Sequence, residues 1–178
     1  LDLGFKVAHT AYTERSFSEA QVIADTPAFC DYQRLDKAYP EAKFIYLTRA
    51  MDKWLPSIKQ LLNRMHINLE REDGGFNPII KRCYKATFNP YNLDNINSFE
   101  FLTQCYQQHE QQVQQYFKNR ASQLLAIDVS AEHSYDELLD FLNIDKNKVD
   151  NVSFAKLNVG GKVTAWKDIK NTIKVDST

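Results

Sequence analysis

The sequence predicts an α/β domain of three layers, with a mainly parallel central sheet between helices. Two observations carry this. Three short apolar runs, residues 5–8, 44–48 and 124–129, are β-branched or aromatic in part and too short for helices. Between them lie longer stretches whose apolar residues recur at helical spacing. A chain of 178 residues fits a single domain, and it can bury roughly 70% of its unfolded surface without a disulfide or a metal.

In chain order, the run at 5–8 is the first expected strand. Ser16 with Glu19 reads as a capping box that opens a helix through Ala24. The run at 44–48 is the second strand. Asp52 is expected to cap a helix that carries Trp54, Ile58, Leu61, Leu62 and Met65 on one face, with Pro56 near the end of its first turn. The segment 70–97 holds Gly74-Gly75, Pro78, Pro90 and several Asn, and reads as a loop with one short helix. Residues 98–118 place Leu102, Tyr106, His109, Val113, Tyr116 and Phe117 at helical spacing. The run at 124–129 is the third strand, and Ser134 with Glu137 forms a second capping box for a helix through Leu142. All three strands are expected to be central and buried.

Composition excludes several classes. Twenty-two basic against twenty-three acidic side chains leave a net charge of −1, unlike a general nucleic-acid binder. An aromatic content of 12% is too high for a disordered chain. No apolar run approaches the roughly 20 residues of a membrane span, and no signal peptide precedes the first strand. Cys30, Cys83 and Cys105 are too widely spaced for a zinc site and are expected to be reduced thiols, which points to a cytoplasmic setting. No metal is expected. Charge is uneven, however: residues 34–64 and 156–174 each carry a balance of +4, and residues 128–150 one of −5. Two basic segments flanking an acidic one either form a local anion site or are ordinary surface scatter.

The segment KFIYLTRAMDKWLPSI, residues 43–58, is the most informative. A strand ends at Thr48, Arg49 stands at its carboxyl edge, a helix follows, and Ser57 lies eight residues after Arg49. Ligands of open α/β sheets bind outside the carboxyl ends of strands. An Arg there can hold a phosphate through two parallel N–H bonds, and a Ser early in the next helix can add a hydroxyl. The alternative is that Arg49 pairs with a carboxylate and Ser57 is a surface residue. Upstream, Asp25 precedes Pro27 at the end of a predicted helix. Near the tail, Gly160-Gly161-Lys162 can expose successive backbone N–H groups beside a cation as an anion-binding nest, or can be a plain glycine turn.

Together these segments resemble the sulfotransferase superfamily, which uses the donor 3′-phosphoadenosine 5′-phosphosulfate. The resemblance runs from Gly4 to Lys167 and implies a fold like that of the P-loop nucleotide hydrolases. In that family a strand runs into an Arg followed eight positions later by a Ser, and the pair holds the donor's 3′-phosphate; Arg49 and Ser57 match. The family's late loop, G-x-x-G-D-W-K, is matched by Gly161, Trp166 and Lys167, while Thr164 and Ala165 depart from it. Val159 and Gly160 replace a basic pair, and Lys162 can supply the cation. Asp25-x-Pro27, Tyr39-Pro40 and the Arg49-to-Trp54 spacing look more like a subgroup found in bacteria and eukaryotes. The family's 5′-phosphosulfate loop, between its first strand and helix, has no counterpart here. The resemblance therefore implies either a domain whose first strand and loop precede Leu1 or a form that does not bind the donor in the usual way.

For the soluble members the base is a His two residues before a Pro; Asp25 takes that place here. Asp25 is thus a candidate general base, its alternative role being a cap of the following turn. The four histidines offer no better candidate: His9 follows the first strand and either lines a cleft or, the reading preferred, is a satisfied structural residue; His66 and His109 fall in helices, His109 on the apolar face as a core residue; and His133 lies in an acidic turn. The activity implied is sulfuryl transfer to a hydroxyl or amine of a small or glycan-like acceptor, with no nucleic-acid or membrane partner. Two alternatives remain. One is a noncatalytic nucleotide-binding or interaction domain of the same fold. The other is a nucleotide kinase, for which Asp128 would hold a metal at a strand end.

Overall fold

The structure is a computed structural model that describes residues 1–150, 153–155 and 166–178. The chain runs β1 (Val7–Ala8), α1 (Glu14–Glu19), β2 (Val22–Ile23), α2 (Ala28–Ala38), β3 (Phe44–Leu47), α3 (Met51–Glu70), α4 (Pro78–Thr87), α5 (Leu93–Asn97), α6 (Phe99–Phe117), β4 (Leu124–Ile127) and α7 (Ser134–Leu142). Short 3-10 turns follow at Lys146–Lys148 and Trp166–Asp168. Among the described residues no helix is long and apolar enough to cross a membrane.

The strand pairs are parallel, as the alternation of strands and helices predicts. They form two separate two-stranded sheets, β1 with β2 and β3 with β4, and not one continuous sheet. Strand β1 is flanked on both sides. Val7 and Ala8 pair with Val22 and Ile23 on one side. On the other, Val7 bridges Lys174: the Val7 N–H donates to the Ile173 carbonyl at 3.1 Å, and the Val175 N–H to the Val7 carbonyl at 2.9 Å. Both edges of β1 are therefore taken, and neither can extend to β3 or β4. The second sheet pairs Phe44, Ile45, Tyr46 and Leu47 with Leu124, Leu125, Ala126 and Ile127. The Thr48 N–H continues the ladder to the Ile127 carbonyl at 2.8 Å.

The expectation of central, fully buried strands is corrected: among the described residues β3 and β4 each have one partner strand, Ala126 of β4 is exposed, and the departure is plainest in β3. Its burial alternates along the strand, as in a sheet covered on one face. Phe44 and Tyr46 pack on Tyr32 of α2 and on Val113 and Phe117 of α6. Ile45 and Leu47 point the other way and are 40% and 60% exposed.

Helix boundaries moved where polar side chains found other work. Thr13, not Ser16, caps α1, accepting the Ser16 N–H at 3.3 Å. That helix stops at Glu19, because the β-branched pair Val22-Ile23 is drawn into the ladder with β1. Helix α3 starts at Met51 without a side-chain cap, and Asp52 lies in its first turn, where a carboxylate favours the helix dipole. Ser134 does not cap α7; its buried hydroxyl donates to the Ala131 carbonyl at 2.8 Å, and His133 holds the cap position with φ of 67°. The segment expected as a loop with one short helix contains two. Asn77 and Asn92 cap α4 and α5, each side-chain oxygen accepting a backbone N–H at 2.9 Å, and Pro78 opens α4 as a first-turn proline.

The main core lies among the helices. Leu62 and Leu69 of α3 meet Tyr84 of α4, Phe88 just beyond it, Ile96 of α5 and Leu102 and Cys105 of α6. A buried polar cluster ties α2 to the C-terminal end of α6. The Asp36 carboxylate accepts from the Tyr116 hydroxyl at 2.7 Å and from the Arg120 guanidinium at 2.7 and 2.9 Å. Burial alone would raise the Asp36 pKa, but these bonds outweigh it and lower it.

Leu62 is fully buried, so truncation leaves a cavity that these helices cannot close. Leu62→Ala is expected to lose about 2–5 kcal/mol of stability, read as a lower urea midpoint with an unchanged denaturant slope.

Candidate active site

A cavity of about 210 Å³ lies between the end of β3 and the helices that the main core holds together. Helix α3 contributes Trp54 and Ile58, one turn apart on the same face. Tyr84, Thr87 and Phe88 come from α4 and its end, and Cys105, Tyr106 and His109 from α6. Tyr46 and Leu47 close the side toward the sheet, and Phe29 and Asp25 the side toward α2. The walls are mostly aromatic. Trp54 meets Tyr106 edge to face with centroids 4.8 Å apart, and Phe29 meets Tyr84 in the same way at 5.5 Å. His109 is held by its Nε2–H, which donates to the Phe29 carbonyl at 2.8 Å, and it stacks on Tyr46 at 5.7 Å.

Asp25 supplies the one carboxylate of this lining. It does not end a helix, as the sequence predicts, but follows β2. The backbone fixes it on both sides: the Ala24 N–H donates to the Ala8 carbonyl at 2.9 Å, and the Ala11 N–H to the Thr26 carbonyl at 3.0 Å. Asp25 itself has φ of 61°, a left-handed conformation that Asp adopts more readily than most residues, and the Thr26–Pro27 peptide is cis. Among the described residues no backbone N–H donates to the Asp25 carboxylate, so the side chain caps no helix or turn; Pro27 precedes α2 without a side-chain cap. The Thr26 hydroxyl donates to Oδ1 at 3.4 Å, and His9 Nδ1 lies 3.9 Å from Oδ2. The side chain is 36% exposed, at the cavity mouth. Its protein-facing side is enclosed, and that burial raises its pKa above the ordinary carboxylate value, against the lowering influence of His9 and Thr26. The Tyr84 phenol is also raised, by burial first and then by the Asp25 charge.

Arg49 stands two residues beyond Leu47 and is exposed. Its backbone is pinned from α6: the Arg49 N–H donates to the Tyr106 hydroxyl oxygen at 3.2 Å, and that hydroxyl lies 3.4 Å from the Arg49 carbonyl. Among the described residues no side chain bonds the guanidinium. Ser57 is exposed beside Ile58. Neither Arg49 nor Ser57 lines the cavity, although Leu47 and Ile58, their near neighbours in sequence, do. Lys53, one turn before Ser57, lies on the same exposed row of α3 and adds a cation that the sequence reading passed over. Together with Arg49 it helps lower the pKa of Asp128 at the end of β4, although the hydrogen bonds from Ser130 dominate that shift. The Ser130 N–H and hydroxyl donate to Asp128 Oδ1 at 2.8 and 2.6 Å. Asp128 is thereby engaged in its own turn, which does not favour the metal-holding role a kinase would require.

Gly160, Gly161 and Lys162 lie outside the described residues. Trp166, further along the same segment, stacks on His9 with centroids 5.5 Å apart. Among the described residues no group of three or more His, Cys, Asp or Glu is arranged to hold a metal. Asp25 was legible as a site candidate, whereas His9, which follows the first strand by one residue, does not line the cavity. The aromatic walls from α4 and α6 were not legible, because a core stripe and a cavity wall share the same helical spacing.

The Tyr106 hydroxyl fixes the turn that presents Arg49. Tyr106→Phe keeps the ring against Trp54 and removes only the hydroxyl; it is expected to lower stability by about 1 kcal/mol in chemical denaturation. A family model for a sulfotransferase domain matches residues 4–163. No curated protein matches the sequence.

Proposed function

Because the chain belongs to the sulfotransferase domain family, we propose that it moves a sulfuryl group from 3′-phosphoadenosine 5′-phosphosulfate to a hydroxyl or amine of a small aromatic acceptor, with Asp25 as the general base. The observation that carries this reading is a carboxylate, the one among the described lining residues, in a mostly aromatic cavity next to the strand end that bears Arg49. The donor substrate brings an activated sulfuryl group whose S–O bond to the 5′-phosphate breaks as the acceptor forms a new one. Asp25 takes the acceptor's proton at a carboxylate oxygen, and adenosine 3′,5′-bisphosphate departs.

Arg49 holds the 3′-phosphate through its guanidinium, with Ser57 adding a hydroxyl and Lys53 reinforcing the positive field. The fit is supported by an exposed guanidinium at a strand's carboxyl edge whose backbone is pinned by Tyr106. Gly160, Gly161 and Lys162 are proposed as further donor contacts. The acceptor class follows from the walls. Rings from Phe29, Tyr46, Trp54, Tyr84, Phe88 and Tyr106 offer stacking surface and few hydrogen-bond partners, which suits an aryl ring better than a glycan. The volume is below the roughly 300–1,000 Å³ of drug-sized sites, so the acceptor has one or two rings.

Two measurements test the assignment. Calorimetry with adenosine 3′,5′-bisphosphate is expected to show most affinity lost in Arg49→Ala, and about 1 kcal/mol lost in Ser57→Ala for one hydrogen bond. Unchanged binding in Arg49→Ala would remove the 3′-phosphate site.

In transfer kinetics, Asp25→Asn keeps shape and polarity but cannot accept the proton. Turnover is expected to fall by roughly 10² to 10⁴ with donor affinity little changed. The pH dependence has a definite sign. A base with a raised pKa is ionised only above that value, so wild-type kcat/KM falls as pH drops through it. The same acid limb should be absent from the residual activity of Asp25→Asn.

A further inference from the structure

His9 is not part of the cavity lining, yet among the described residues it is the group able to carry a positive charge that stands within ion-pair distance of Asp25. The groups facing Asp25 come from several elements. Thr26 offers a neutral hydroxyl, Tyr12 and Tyr84 are phenols whose pKa values are raised by burial, and His9, one residue beyond β1, places Nδ1 3.9 Å from Oδ2. That separation is too long for a hydrogen bond but within the range of an ion pair. An imidazole is cationic over the acid range in which carboxyls titrate.

The imidazole is itself held from behind. It stacks on Trp166 at a 29° interplanar angle. Trp166 is fixed in turn by Lys174, whose ammonium donates to the Trp166 carbonyl at 2.6 Å and lies 4.9 Å from the ring centroid. Lys174 also donates to the Ile169 carbonyl at 2.8 Å, and its backbone is the residue that bridges Val7 of β1. The tail and the Asp25 turn are thus both tied to β1, one on each side of it, and His9 spans them.

We propose that His9 is a positioning residue for Asp25: its imidazolium holds the carboxylate ionised and turned to the cavity, and Trp166 holds the imidazole in place. This rests on the reading of Asp25 as the base. It makes Trp166, in the tail of the domain, a determinant of the base through His9. The Lys174 ammonium lies over the Trp166 ring, and His109, in the cavity lining, is committed to the Phe29 carbonyl.

The test is an NMR titration of the Asp25 side-chain carboxyl carbon in wild type, His9→Ala and His9→Gln. Gln keeps size and polarity without the charge, and it guards against a folding defect in the Ala variant. Both variants are expected to move the Asp25 midpoint to higher pH. Turnover near pH 6 should fall about two- to fivefold, the range that a half-exposed ion pair supports, with KM little changed. Trp166→Ala should shift the midpoint in the same direction by less, and Trp166→Phe, which keeps a stacking ring, should restore the wild-type value. An unchanged midpoint in folded His9→Gln overturns the proposal. Full turnover in Asp25→Asn would instead remove the base assignment, and the titration would still decide whether His9 controls the carboxylate.

Discussion

The pairing of β3 with β4 is the constraint on which the site depends. Four residues of each strand pair in parallel, and the bond from Thr48 extends the ladder toward the carboxyl edge. A slip of one residue would exchange the faces of β3, sending Phe44 and Tyr46 to solvent and Ile45 and Leu47 against α2 and α6. The present register keeps Tyr46 in the cavity wall and delivers Arg49 and Asp128 to neighbouring strand ends. Tyr106 then locks the outgoing turn from α6. A long-range ladder, a helix-borne hydroxyl and the aromatic packing of Trp54 on Tyr106 all fix the same few residues.

Two carboxylates show how differently the fold treats an acid. Asp36 is buried but fully bonded to Tyr116 and Arg120, and its pKa is lowered. It contributes stability that is present above its unfolded value and is lost as pH falls through its folded one. Asp25 is only partly covered and has weaker support, and desolvation raises its pKa. The sign is opposite: folding favours its protonated form, and its contribution declines as pH rises through the raised value. An acid kept in that state tends to stand where chemistry needs a proton acceptor tuned upward. The helical core around Leu62 and Leu69 and the Asp36 cluster supply rigidity elsewhere in the chain.

The sequence made some of this legible and hid the rest for physical reasons. Parallel strands at 44–47 and 124–127, the long helix from Phe99 to Phe117 and the strand-end position of Arg49 follow from periodicity and short apolar runs. Helix starts were less legible, because Ser, Thr and Asn can cap, turn or donate sideways: Ser134 looked like a cap and instead donates to Ala131, and Asn77 and Asn92 looked like loop and instead cap helices. Local pattern gave no sign that residues 173–175, far along the chain, take the second edge of β1. The same distance in sequence hid the His9–Trp166 stack, although His9 itself stood out as the residue after a strand. Asp25 was named from its place before Pro27, but its left-handed backbone and its opening into the cavity are tertiary facts.

The central claim is that the Asp25 carboxylate meets the acceptor inside the aromatic cavity. Its most direct test is a crystal structure of the protein with adenosine 3′,5′-bisphosphate and a small phenol. The account predicts the phenol ring stacked among Trp54, Tyr84 and Tyr106, with its hydroxyl within hydrogen-bonding distance of Asp25. A phenol bound elsewhere, or an Asp25 side chain turned away from the bound hydroxyl, would contradict it.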